Sequence, residues 1–260
     1  KELFKRGKKY TILEKLGETC PLVIDLDFKY KRSFTERQYT KETINELIKL
    51  FFSKLDELFD LEDNHYQVWI FEKPNIRELE NPKNPKKSKK TENTYLSKDG
   101  IHLVFPNIKA PKHIFLHLID LIYQDETLFI EIMKKTSISI PDNIKDIVDK
   151  SIYTGNWMVY GSCKDSDTTK YALTNILSLK SNGIIKSYSI DSYLENPLTI
   201  IENNSVYNTD KNVTFTEYTT DYSEKYLKNK NLNSNIEYNN IMDIIEDEDI
   251  LEALEDVGIT

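Results

Sequence analysis

The stretch Pro21–Phe28, PLVIDLDF, constrains this chain more than any other. Its apolar run is broken only by Asp25 and Asp27, and it is bounded by Pro21 and the basic turn Lys29–Arg32, which predicts a β-strand. In a strand, residues i and i+2 point to one face roughly 7 Å apart, so the two carboxylates project together. Like charges held side by side cost free energy unless something positive lies between them. Divalent cations are the natural solution, and bridging carboxylates hold pairs of Mg²⁺ or Mn²⁺ about 4 Å apart at phosphoryl-transfer sites. The plainer alternative is two surface acids at a strand end. A strand this apolar, ending in acids, favours the metal.

Composition excludes several classes. A chain of 260 residues is long enough for one large domain, or a domain with an appendage. A charged fraction of 30% and a mean hydropathy of -0.54 argue against a membrane protein, and no segment approaches the roughly 20 apolar residues that span a bilayer. Cys20 and Cys163 make neither a disulfide framework nor a zinc cluster, which points to a reducing compartment. No secretory signal pattern is visible, and a start at Lys1 suggests excision from a longer chain. The net charge of -8 would argue against a nucleic-acid partner if it were spread evenly. It is not: residues 1–190 carry 31 Lys and Arg against 27 Asp and Glu, and residues 191–260 carry 4 against 16. A mildly basic body with an acidic tail is a different object, because attraction is local within a Debye length of about 8 Å.

Along the chain, Ile44, Leu47, Ile48, Phe51, Phe52, Leu55 and Leu58 predict a helix over residues 40–59, followed by a strand at Tyr66–Phe71. Residues 74–93 have no apolar period and five lysines from Lys83 to Lys90, as a mobile basic loop would. A strand at Gly100–Phe105 should close at Pro106, and a helix should run from Lys112 to about Lys135. Short strands are expected at Ile147–Tyr153, Asn156–Ser162 and Ile184–Ile190, with a turn at Asn182-Gly183. The order of elements predicts an α+β fold, with a core in residues 1–190, a polar Asn-rich extension in 191–240 and an acidic helix or linker in 241–260.

Two further clusters carry chemistry. Lys98, Gly100 and His102 alternate at a strand start, so Lys98 and His102 share a face, and Gly100 would let a phosphate approach the backbone. Asp149 precedes Tyr160-Gly161-Ser162-Cys163-Lys164, a turn offering a hydroxyl, N–H groups and an ammonium to a triphosphate.

In this order, PLVIDLDFKY, SKDGIHLVFPNI and VDKSIY with YGSCK resemble the archaeo-eukaryotic primase superfamily, specifically the primase domain of primase-helicases of large DNA viruses. The resemblance covers about residues 21–164. It implies an RRM-like antiparallel sheet backed by helices, and a nucleotidyltransferase using Mg²⁺ or Mn²⁺. Its metal acids map onto Asp25, Asp27 and Asp149, with Asp146 a rival for the third. Its nucleotide-binding positions map onto His102, Lys98 and Lys164, within the clusters that also contain Gly100 and Ser162. The implied partners are a single-stranded DNA template, nucleoside triphosphates and a C-terminal helicase domain, with no membrane; the implied place is the host cytoplasm or a viral replication site. Two departures stand out: Gly100 replaces a Ser, and Asn156–Val159 has no counterpart of a family Arg, leaving Lys98 and Lys164 to balance the triphosphate.

Other motifs read more simply. His113 and His117 have zinc-ligand spacing on a helix but no third ligand, and Asp165-Ser166-Asp167 lies in a polar turn. Two other functions fit parts of the pattern. A sugar-nucleotide transferase would use Asp-x-Asp with Mn²⁺ but leaves His102 and Lys164 unexplained. A non-catalytic RRM-like module would bind nucleic acid without incorporating nucleotides.

Overall fold

The computed structural model describes residues 11–30, 33–78, 96–134, 144–163, 170–180 and 183–206, all within one compact unit, Lys1–Thr219. The expected acidic helix at 241–260, the lysine run 83–90 and Asp165–Asp167 lie outside the described residues.

The fold is α+β. Strands β1 (Leu13–Lys15) and β2 (Thr19–Tyr30) lead into helix α1 (Lys41–Asp56), then β3 (Gln67–Glu72), the two-residue β4 (Arg77–Glu78) and the long β5 (Ser97–Pro111). Helices α2 (Lys112–Gln124) and α3 (Glu126–Lys134) follow, then 3₁₀ turns at Ile144–Asp146 and Lys150–Tyr153. Strands β6 (Asn156–Met158), β7 (Ala172–Leu179) and β8 (Ile185–Tyr188) and the short helices α4 (Asp191–Glu195) and α5 (Pro197–Asn204) complete it. The main sheet is antiparallel, in the order β2-β5-β3-β7-β8 with β4 also on β5, and β1 pairs with β6 in a separate two-stranded sheet.

Helix α1 covers one face of the main sheet, which we call the back. Thr40 caps α1 and exchanges hydrogen bonds with Thr43. From there Leu47, Ile48, Phe51, Phe52 and Leu55 pack into the core, with the Phe52 ring edge-on to Phe105 of β5. Burying five such side chains contributes about 1.5–3 kcal/mol each.

Four elements differ from expectation, each for a local reason. Strand β5 continues through Pro106 because its pairing with β2 shifts between Pro21 and Leu22, from Leu22↔Phe105 to Pro21↔Lys109. Pro106 thus sits in a bulge, where no ladder N–H is needed. The expected helix 112–135 breaks at Asp125, whose N–H closes α2 on Leu121 while its carbonyl accepts the N–H of Phe129 in α3. Ile147–Tyr153 is not a strand but two 3₁₀ turns around a single bridge, Leu26↔Val148. The buried Tyr153 hydroxyl stands in for a strand there, accepting from the Val23 N–H (3.2 Å) and donating to the Val23 carbonyl (2.7 Å). Finally, only Asn156–Met158 of Asn156–Ser162 is strand.

Strand β7 was not foreseen. Its register against β3 shifts between Ile70 and Phe71, so Leu173 and Ile176, three residues apart, oppose Phe71 and Trp69. The bulge destroys the period of two that marks a strand in sequence. Helices α4 and α5 were likewise hidden in polar sequence; Ile200 is buried and Tyr193 packs edge-on to Trp69 at 4.7 Å.

Candidate active site

Register builds the site. Antiparallel pairing sets Asp25 opposite His102 and Asp27 opposite Gly100, so all four share the front face of the sheet. On the free edge of β2, the Asp27 N–H bonds the Ile147 carbonyl (2.8 Å) and the Asp149 N–H bonds the Asp25 carbonyl (2.9 Å). That bridge draws Asp149 next to Asp25. One carboxylate oxygen from each of Asp25, Asp27 and Asp149 lies within 4.8 Å of the other two. Asp146, the rival acid, is exposed on the preceding turn and outside this group.

The three acids are satisfied unequally. Asp27 Oδ2 takes the Lys98 ammonium at 2.7 Å, and Asp149 Oδ1 accepts the Ser151 N–H at 2.8 Å. Asp25 Oδ1 is buried with no hydrogen-bond donor among the described residues; His102 Nε2 stands 3.6 Å away, beyond bonding range. Burial first, then the charges of Asp27 and Asp149, push the Asp25 carboxyl up to about 7, against the pull of Lys98 and Lys73. An orphaned carboxylate oxygen among three convergent acids fits a divalent cation with oxygen ligands, for which Asp25, Asp27 and Asp149 would be the ligands.

Cations face the acids across a cavity of about 170 Å³. Lys98 was foreseen; Lys73 and Arg77 were not, and both line the cavity. Arg77 arrives because β4 pairs it with Lys98. Burial, then the charge of Lys98, holds the Lys73 ammonium below its usual range. Lys73 lies two residues beyond Phe71, on the same strand face, a signal that becomes readable only once the face of β3 is known.

His102 is clamped between rings. Tyr171 stacks on it at 3.6 Å and 21°, and Trp157 lies against it at 4.5 Å and 38°. Gly100 serves this clamp: a Cβ there would meet the Tyr171 hydroxyl at 2.6 Å. The space expected for a phosphate over Gly100 is therefore filled by Tyr171, a correction to the sequence reading. Ser162 is buried, accepts the Ile12 N–H on its Oγ at 3.3 Å and lines a narrower, apolar neighbouring cavity with Phe71, Val104 and Met158. Lys164 lies outside the described residues.

Residues 1–177 match the family model described as the C962R protein N-terminal AEP domain, where AEP denotes archaeo-eukaryotic primase. The chain belongs to this family, and with it to the primase-type domains of large DNA viruses. It is 26% identical over 188 residues to the protein named "Putative helicase 184R" of Invertebrate iridescent virus 6, covering 66% of this chain and 18% of that one. It is also 26% identical over 183 residues to "Putative helicase L207/L206" of Acanthamoeba polyphaga mimivirus, covering 67% of this chain and 17% of that one. The chain thus spans less than a fifth of the length of these relatives. Among the described residues no helix is long and apolar enough to cross a membrane.

Proposed function

We propose that this domain catalyses template-directed nucleotidyl transfer, joining (d)NTPs on a single-stranded DNA template as a primase or primase-polymerase. The observation that carries the reading is the orphaned Asp25 oxygen within the group Asp25, Asp27 and Asp149, opposite Lys73, Arg77 and Lys98.

The residues have complementary tasks. Asp25, Asp27 and Asp149 would hold Mg²⁺ or Mn²⁺, which when bound would lower the pKa of the primer 3′-hydroxyl and stabilise charge on the α-phosphate and leaving pyrophosphate. Lys98 leaves or bridges Asp27 to meet the β- and γ-phosphates, joined by Lys73 and Arg77. Lys164, matched through the family resemblance, adds a further cation. His102, fixed by Tyr171 and Trp157, presents Nε2 to the nucleotide at the border between the charged cavity and its apolar neighbour. No side chain serves as nucleophile, since that group belongs to the substrate; the protein contributes position and charge. The relatives' names support a helicase domain in the longer protein, and the family model's description as an N-terminal domain supports placing it C-terminal to this one; the proposed place of action is the host cytoplasm or a viral replication site.

The test is incorporation of labelled nucleotide on single-stranded DNA. It should require Mn²⁺ or Mg²⁺ and vanish in Asp25→Ala/Asp27→Ala with the circular dichroism spectrum unchanged. Undiminished incorporation by that double variant overturns the reading; DNA binding indifferent to metal and nucleotide, with no incorporation by the native chain, favours a binding module instead.

A further inference from the structure

Behind the sheet, opposite the acids, lies a second cluster of charge. Arg37, in the loop between β2 and α1, donates from Nε to Asp99 Oδ2 at 3.1 Å and from Nη1 to Glu72 Oε1 at 2.6 Å, and its Nη2 bonds the Lys73 carbonyl. The two carboxylates are well enclosed, with side-chain exposures of 12% for Glu72 and 0% for Asp99. Every remaining contact tightens the cluster. Glu72 also accepts from the Tyr39 and Thr174 hydroxyls, and Asp99 Oδ1 accepts the Gly100 N–H at 2.8 Å.

The positions of these acids in the chain matter. Glu72 precedes Lys73, and Asp99 follows Lys98. Successive strand residues point to opposite faces, so an anchor on Glu72 and Asp99 at the back fixes the backbone from which Lys73 and Lys98 project at the front. Arg37 also grips the Lys73 carbonyl itself, and Asp99 grips the Gly100 N–H, two residues from Lys98 and two from His102. Arg37 touches neither β2 nor the Ile147–Asp149 bridge in any of these bonds.

We infer that Arg37 is a positioning residue for the substrate's phosphates: by stapling the end of β3 to the start of β5 from behind, it sets the spacing of the Lys73 and Lys98 ammonium groups in front. This rests on the nucleotidyl-transfer reading of the front cavity. Three directed bonds from one planar guanidinium do what a lysine cannot, since an ammonium has no fixed fork with which to hold two carboxylates and a carbonyl in register. The acids that hold the metal sit on a different strand and a different turn, so the two halves of the site answer to different supports.

The experiment compares the whole 260-residue native chain with Arg37→Lys, measuring binding of 2′-deoxyadenosine triphosphate with Mn²⁺ by calorimetry and binding of Mn²⁺ alone by electron paramagnetic resonance. Arg37→Lys should weaken the nucleotide on the order of tenfold, the equivalent of about one charge-assisted hydrogen bond, while Mn²⁺ alone binds within about threefold of native. A purely structural role lowers thermal stability without that split, so equal nucleotide affinity in a folded Arg37→Lys overturns the inference, as does an equal loss of Mn²⁺ affinity. If Arg37→Lys fails to fold, the triple variant Arg37→Gln/Glu72→Gln/Asp99→Asn, which leaves no buried charge unpaired, decides in the same way. A native chain that binds neither nucleotide nor Mn²⁺ overturns the functional reading and this inference with it; a native chain that binds both, with variants that match it, overturns the inference alone.

Discussion

The two faces of the main sheet hold the same ingredients in opposite states. At the back, Glu72 and Asp99 are buried with Arg37 and two hydroxyls, and their carboxylates are engaged from several sides. At the front, Asp25, Asp27 and Asp149 converge with Lys98 on one of them and a buried oxygen of another left without a donor among the described residues. A closed network specifies structure and costs little once complete; an open one raises the energy of the free protein, and a bound cation would lower it. The teaching is that unpaired charge, rather than charge, marks the face where a ligand belongs.

The strongest way to break this contrast is to neutralise the orphan. Asp25→Asn should reduce incorporation by at least about 10²-fold, from lost charge at the metal, while the melting temperature stays level or rises because a repulsion is relieved. A fall in both would place Asp25 among the structural acids. At the back the expectation is reversed: Asp99→Ala removes a fully buried partner of Arg37 and the acceptor of the Gly100 N–H, and should cost about 2–3 kcal/mol in urea unfolding. A loss under about 0.5 kcal/mol, the level of an ordinary surface change, would mean the back network is not closed.

The Tyr171 clamp gives a smaller and cleaner effect. Gly100→Ala drives a methyl to 2.6 Å from the Tyr171 hydroxyl and should cost about 1–3 kcal/mol through overpacking. Tyr171→Phe removes the obstructing oxygen, so the double variant Gly100→Ala/Tyr171→Phe should be more stable than Gly100→Ala alone. Additive losses would show that the glycine is needed for something else.

The last contrast is in pH. The folded Asp25 carboxyl titrates near 7, above its ordinary 3.8, so the folded state holds its proton more tightly than the unfolded chain. Stability from this group is therefore full below about 3.8 and lost as pH rises through about 7. Without metal, denaturant midpoints should rise as pH is lowered from 8 to 6, and Asp25→Asn should flatten that slope. Saturating Mn²⁺ should reverse it, because proton and cation compete for one oxygen. An unchanged slope in Asp25→Asn would assign the titration elsewhere.

Much of the site was legible because its residues are short-range patterns. Asp25-x-Asp27 and Lys98-x-Gly100-x-His102 are period-two spacings within single strands, and a strand places such residues on one face whatever else the chain does. Asp149 was legible from family order, but its arrival at Asp25 depends on one bridge to the edge of β2 that no local pattern encodes. Lys73 and Arg77 were missed because one follows a strand end and the other lies in a segment read as loop, and pairing with β5 is what brings Arg77 forward. Tyr171 was missed along with β7, whose bulge breaks the alternation. Gly100 was noticed for the wrong neighbour: a glycine announces a close approach, and the partner that approaches is a matter of packing.

By itself the amino-acid sequence determined the elements whose periodicity is regular, namely β2, α1 and the core of β5, and the identity of two acids on one strand face, because side-chain direction in a strand follows from backbone geometry alone. Tertiary structure decided the third acid's position, the cations opposite, the rings around His102 and the closed network behind. Those depend on register, bulges and burial, which are properties of strands in contact. PLVIDLDF could announce that two carboxylates project together; only the assembled sheet left one of their oxygens buried without a partner among the described residues.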